Sequence, residues 1–335
     1  MTGGEVEQKP PVLLLQEHVE KPSTALHHFS GAIALVLTFF ASAGLTIAYL
    51  SGMEHLPIAS QVGAAAVAED SFATVTISGE GAYVLDLTTS RVLYSKNPDI
   101  QLPLASLTKV PLALTISEAL KPSEYITIPS HAPPDGAGIR LPTGLRFSVQ
   151  DLLDFTLAAS SNEGADILTR FADDTLRQMY PTAPEGSAAL WRMNDIVKNL
   201  GLEHLFFLNT TGLDLSDTQA SAYGSARDVA VLFAHIASVA PAIFERTSQD
   251  TVKITAATGE TVLAKNTDNA LPSIPGMILG KTGYTELAGG NLVVVFDAGL
   301  AHPIVAVVLH STQEDRFTDM KKLVDATLSA LAKDQ

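Results

Sequence analysis

The 335-residue sequence has no cysteine. Disulfides, thiolate nucleophiles and cysteine-ligated zinc are therefore excluded, and the redox compartment leaves no trace in cysteine usage. Positive charge is scarce. Lys and Arg total 21 against 36 Asp and Glu, a formal net charge of −15. No Lys/Arg-rich run offsets this locally, so nucleic acid is not an expected partner. Charged residues make up 17% and hydrophobic ones 46%, which excludes whole-chain disorder. With 23 Gly and 18 Pro, the chain is neither collagen nor a Pro/Gly-rich fibre. The nine His show no His-Glu-x-x-His pairing, so no metal site is expected.

One long apolar run is present. Gly31 to Leu50 contains twenty residues and no charge. At about 1.5 Å per residue it matches a hydrocarbon core of roughly 30 Å. Its polar positions are only Thr38, Ser42 and Thr46. A cleaved signal fits less well, because the run exceeds the usual ~7–15-residue apolar core and a polar tail precedes it. Lys9 and Lys21 precede the run, and the next basic residue is Arg91. This asymmetry places residues 1–30 in the cytoplasm, residues 31–50 in the cell membrane and the rest outside. Residues 51–70 carry Gly, Pro, Ala and Ser without periodicity and read as a linker.

Ordered patterning starts near Ser71 and defines one domain over residues 71–335. Ala82–Leu87 and Arg91–Tyr94 read as a strand pair. Gly79-Glu80-Gly81 lacks the third glycine and the following helix of a dinucleotide loop. Helical patterns cover Leu107–Leu120, Ser148–Phe171, Trp191–Leu200 and Ala226–Val239. Ser148 with Asp151 resembles a capping box, and Gly201 closes the third helix. Thr251–Thr255, Gly276–Tyr284, Asn291–Phe296 and Ile304–Leu309 read as strands, and Phe317–Leu331 as a closing helix. Strands at both ends with helices between them predict an α/β sheet domain carrying an inserted helical subdomain.

Three short motifs carry chemistry. Ser106-Leu107-Thr108-Lys109 falls at a helix start, Ser160-Ser161-Asn162 after an apolar helix, and Lys281-Thr282-Gly283 on a strand. A serine hydroxyl is a weak nucleophile until a base takes its proton. At i and i+3 on a helix, Ser106 and Lys109 share a face. A lysine serves as base only if its pKa falls from about 10.4, and burial or a nearby cation lowers it. Lys281 is the candidate cation. Pro111 requires a helix start at or just before Ser106, or a kink.

These residues resemble the penicillin-binding, serine-active-site peptidase superfamily, and more closely the low-molecular-mass D-alanyl-D-alanine carboxypeptidases. The resemblance covers residues 78–332. It extends to Pro103–Lys109, to Phe207–Leu213 with its Asn-x-x-Gly-Leu turn, to Asn266-Thr267 and to Gly280–Gly289. Glu163-Gly164-Ala165 departs from the usual Asp-Ala after Ser-x-Asn. The resemblance implies a β-lactamase/DD-peptidase-like fold with an antiparallel five-stranded sheet flanked by helices. It implies that Ser106 attacks the carbonyl of the penultimate D-Ala in a peptidoglycan stem peptide while Lys109 takes its proton. Ser160, assisted by Lys281, relays a proton to the leaving amine, and Asn162 holds the substrate amide. Backbone N–H groups of Ser106 and Tyr284, the latter beside Gly283, form the oxyanion hole. Thr282 and Arg316 bind the terminal carboxylate. β-Lactams are expected to acylate Ser106, and no cofactor is implied. No counterpart is expected to the C-terminal β-domain and membrane helix of some relatives.

Three alternatives share parts of this pattern. A DD-endopeptidase cutting cross-links differs only in cleft shape. A class A-like β-lactamase requires a Glu-x-x-Leu-Asn segment that is not found here. A wall-binding sensor on a tether needs no catalysis.

Overall fold

The computed structural model describes residues 70–130 and 140–333. The apolar run at 31–50 and the linker up to Glu69 lie outside them. Among the described residues, no helix is long and apolar enough to cross a membrane.

Five strands form the main sheet: β1 (Gly81–Asp86), β2 (Val92–Lys96), β3 (Met277–Thr285), β4 (Gly289–Asp297) and β5 (Pro303–Ser311). Their spatial order is β3-β4-β5-β1-β2, antiparallel throughout. The sheet therefore closes through β1 and β5, with Gly81 opposite Leu309 and Asp86 opposite Ile304. β4 and β5 are apolar along nearly their whole length because both faces are covered. Leu292, Val294, Phe296, Ile304, Ala306 and Val308 pack with the closing helix. Val293, Val295, Val305, Val307 and Leu309 join the opposite core. Side chains alternate between the two cores with the strand's period of two.

Between β2 and β3 lies the helical part: α1 (Lys109–Ala119), α2 (Val149–Ala158), α3 (Asn162–Met179), α4 (Ala188–Asn199) and α5 (Ala226–Val239). Helix α6 (Asp315–Lys333) follows β5. Helix α1 is buried on all sides from Lys109 to Ile116, as a helix without a polar face must be. Pro111 is its third residue, where no intrahelical N–H bond is lost. A 3₁₀ turn, Ala105–Thr108, precedes it.

Two of the elements read from the sequence pattern are arranged differently in the structure. The continuous helix expected over Ser148–Phe171 is two helices. Ser148 caps α2 by accepting from the Asp151 N–H, and Ser161 caps α3 by accepting from Gly164. Between them Ser160 takes a left-handed backbone, φ +57°. A second N-cap, at Ser161, starts a new helix rather than extending the first. Thr251–Thr255 is a strand but lies outside the main sheet. It pairs with Thr261–Lys265 in a separate hairpin and buries Val252 and Ile254.

Candidate active site

The first half of the site is built by the 3₁₀ turn. Three residues per turn eclipse positions i and i+3, so Lys109 stands over Ser106. Its Nζ lies 2.9 Å from Ser106 Oγ. The turn is held from both sides. Leu102–Pro103 pair with Tyr223–Gly224, Leu104 N–H donates to Ala222 O, and Thr108 Oγ1 donates to Ala105 O at 2.7 Å. Lys109 is fully buried. Its Nζ also donates to Asn162 Oδ1 at 2.6 Å and to the Thr211 carbonyl.

The second half faces it. The break between α2 and α3 presents Ser160, whose Oγ accepts from Lys281 Nζ at 2.8 Å. Lys281 is buried on β3, and its Nζ also donates to Thr282 O at 2.8 Å. Burial, then the nearby Lys109 and Arg316 charges, hold its proton affinity well below the ordinary lysine range, with Asp268 opposing them. Asp268 is itself pushed up to about 6 by burial. Lys109 and Lys281 thus sense each other electrostatically.

Strand β3 is the outermost strand of the sheet, and its free edge packs against the nucleophile turn. A Cβ on Gly283 would lie 2.6 Å from Leu104 O, closer than a side chain tolerates. Thr282 Oγ1 is 2.6 Å from Thr267 Oγ1, and Thr267 N–H donates to Ala158 O. This chain of contacts joins β3 to the Ser160 break. Arg316, at the start of α6, is buried rather than solvated. Its Nη1 donates to Gly283 O at 2.9 Å. The Tyr284 side chain is a half-exposed wall whose hydroxyl donates to Glu286.

Ser106, Lys109, Ser160, Asn162, Lys281, Thr282, Gly283 and Arg316 are thus linked by direct contacts or by shared segments. The three chemical motifs contain none of Thr211, Thr267 and Asp268; the resemblance took in the segments carrying the first two but gave neither a role. A backbone carbonyl carries no residue signature, and the Asn266–Asp268 loop reaches the site only through folding.

The pattern defining D-alanyl-D-alanine carboxypeptidases matches residues 65–313, well over half the chain. The chain belongs to this family. It is 28% identical over 257 residues to the D-alanyl-D-alanine carboxypeptidase DacF of Bacillus subtilis, covering 75% of this chain and 62% of that protein. It is 29% identical over 252 residues to a D-alanyl-D-alanine endopeptidase of Escherichia coli, covering 73% and 76%. Among solved structures, penicillin-binding protein D2 from Listeria monocytogenes in its cefotaxime-bound form superposes with a TM-score of 0.63. That match has 27% identity over 75% of this chain and 98% of that one.

Within this family, the Glu163-Gly164 departure has a steric reason. A Cβ on residue 164 would fall 2.2 Å from Thr156 Oγ1, so the threonine on α2 takes the room of an alanine methyl. Glu163 is buried, and its Oε2 accepts from Leu141 N–H at 3.1 Å, tying α3 to the preceding loop.

Proposed function

We propose that this domain is a serine-type D-alanyl-D-alanine carboxypeptidase that removes the terminal D-Ala from peptidoglycan stem peptides through an acyl-enzyme on Ser106. The observation that carries the reading is the contact at 2.9 Å between half-buried Ser106 Oγ and buried Lys109 Nζ, facing a second serine–lysine pair at 2.8 Å.

As a free amine, Lys109 has two N–H groups and one lone pair. Two of the oxygens that Nζ reaches, Asn162 Oδ1 and Thr211 O, are amide oxygens that carry no proton. Both N–H groups go to them, and the lone pair faces the Ser106 hydroxyl. Lys109 takes that proton as Oγ bonds to the carbonyl carbon of the penultimate D-Ala. The oxyanion meets the N–H groups of Ser106 and Tyr284, each such donor being worth about 3 kcal/mol. The Ser160 hydroxyl passes its proton to the leaving amine and is resupplied from Lys281. The C–N bond breaks and D-Ala departs. The proton gained by Lys109 returns to the Ser160–Lys281 pair, which leaves Lys109 a free amine again. Lys109 then takes a proton from the attacking water and gives it to Ser106 Oγ as the ester C–O bond breaks and the peptide acid leaves. The departing carboxylate is held by the Thr282 hydroxyl in the positive field of Lys281 and Arg316. β-Lactams acylate Ser106 by the same first step.

Relatives named endopeptidases match about as well as those named carboxypeptidases, so cross-linked peptide is the second substrate to test. The uncharged run at 31–50, preceded by Lys9 and Lys21, supports a single-pass cell-membrane anchor with the domain outside. Protease accessibility in intact cells tests that orientation.

A labelled penicillin followed by peptide mapping tests the mechanism. The adduct is expected on Ser106, and S106A is expected to take no label and release no D-Ala. Label on another residue, or D-Ala release by S106A, overturns the reading.

A further inference from the structure

One side chain builds the turn beneath the nucleophile. Asn209 Oδ1 accepts from Thr211 N–H at 3.1 Å and from Gly212 N–H at 2.8 Å, and its Nδ2 donates to Leu213 O at 2.8 Å. An asparagine that satisfies its own turn in this way pins three peptide units of it, including the 211–212 unit that carries the Thr211 carbonyl. The turn is moored on three sides. Leu208 N–H donates to Ser221 O, Thr210 Oγ1 accepts from Thr169 Oγ1 on α3, and Asp214 Oδ1 accepts from Thr285 Oγ1 on β3.

The turn's inner side touches both members of the reacting pair. The Thr211 carbonyl accepts from Lys109 Nζ. Gly212, at φ +87°, lies so close that a Cβ there would sit 2.5 Å from Ala105 O and 2.9 Å from Ser106 Cα. No hydrogen bond to Ser106 or Lys109 is among those Asn209 makes here. It holds in place the atoms that touch them.

We propose that Asn209 is a positioning residue for the Ser106–Lys109 pair, fixing the Thr211 carbonyl so that the amine's lone pair stays on the serine hydroxyl. The inference rests on the roles proposed above for those two residues. A lysine amine is a three-fold rotor about Cε–Nζ, with no preferred direction of its own. Two fixed amide oxygens, Asn162 Oδ1 and Thr211 O, occupy two of its staggered positions. The third, the lone pair, then falls on Ser106 Oγ. When the Thr211 carbonyl swings away, the rotor is free to present an N–H to Ser106 Oγ, and in that state it cannot accept the serine proton. Substrate contacts made by Thr282, Arg316 and Asn162 are untouched.

The prediction is a loss in rate without a loss in recognition. Acylation by a labelled penicillin, measured in the full chain as a saturating rate constant and a half-saturating concentration, separates the two. N209A is expected to acylate at least tenfold more slowly, with the half-saturating concentration within twofold of wild type. N209D keeps an acceptor for both N–H groups and is expected to stay within about threefold of wild type. If N209A does not fold, N209S, which retains one acceptor, is read by the same two constants and is expected to fall between the other two. The inference is overturned if wild type labels Ser106 and N209A does so at the same rate. It is also overturned if N209D is as impaired as N209A, or if the loss appears in the half-saturating concentration. A wild-type chain that takes no label overturns the serine mechanism itself and this inference with it.

Discussion

Lys281 Nζ donates to Ser160 Oγ at 2.8 Å across 121 positions of sequence. The contact links the rim strand of the sheet to a break between two helices. It also buries the Lys281 amine against the serine to which the proposed mechanism gives the leaving-group proton.

In the proposed mechanism the charge of Lys281 sets the alkaline limit of the reaction. Its proton affinity is well below the ordinary lysine value because of burial, Lys109 and Arg316. Acylation is therefore expected to fall on the alkaline side well before pH 10.5. K281R, whose guanidinium stays charged, is expected to lose that limb even where its rate is reduced. Stopped-flow acylation from pH 6 to 11 checks both.

The same burial costs stability. Between the depressed folded value and the unfolded one, the unfolded chain binds the extra proton, so stability rises with pH across that window. The full cost applies below it. K281M removes the buried charge at similar volume, an exchange often neutral or stabilising by about 1–4 kcal/mol. It is expected to be inactive yet at least as stable as wild type at pH 7 by urea melts.

Asp154 gives the opposite slope. It is buried on α2, with Oδ1 accepting from Gln150 and Oδ2 3.4 Å from Arg246 Nη1, and burial pushes it up to about 6. The folded chain holds this proton between about 4 and 6. Its contribution to stability is thus full below pH 4 and lost as pH rises through 6. D154N is expected to flatten part of that decline when melts at pH 4.5 and 7 are compared.

Gly283 is required by close approach rather than by backbone conformation. In G283A a methyl is driven to 2.6 Å from Leu104 O, a backbone atom of the segment that leads into the nucleophile turn. The overpacking is expected to cost about 1–3 kcal/mol and to slow acylation at least tenfold. Thermal melts and penicillin labelling measure the two effects separately.

Arg316 acts from beneath the sheet edge, bonded to Gly283 O. On the proposed reading, its charge favours a substrate ending in a carboxylate. R316L is expected to raise KM for a D-Ala-D-Ala peptide roughly tenfold, by loss of a charged partner. The same peptide as its C-terminal amide is expected to respond far less. Equal losses for both would remove the carboxylate role.

Much of the architecture was legible. Alternation and apolar runs marked the strands, helical spacing marked the helices, and a cap marked the start at Ser148, because these signals depend on neighbours within a few positions. The break at Ser160 was not, since Leu152–Phe171 keeps a helical spacing of apolar residues through it. The strands at 102–103, 125–127 and 206–207 are too short to show a period. Asn209 was visible as part of a family motif, but its work depends on where the Thr211 carbonyl lands.

Local spacing alone was enough to bring a serine and a lysine into contact, because one tight turn stacks positions three apart. It also specified two faces for β4 and β5 and the order of the three motifs along the chain. Folding was needed to bring Ser160 and Lys281 to that turn, to set a backbone carbonyl on Lys109 and to bury Arg316 under Gly283. Above all, it set how firmly Lys281 holds its proton. That quantity depends on the water excluded and the charges gathered around the amine, and those come from segments far apart in sequence.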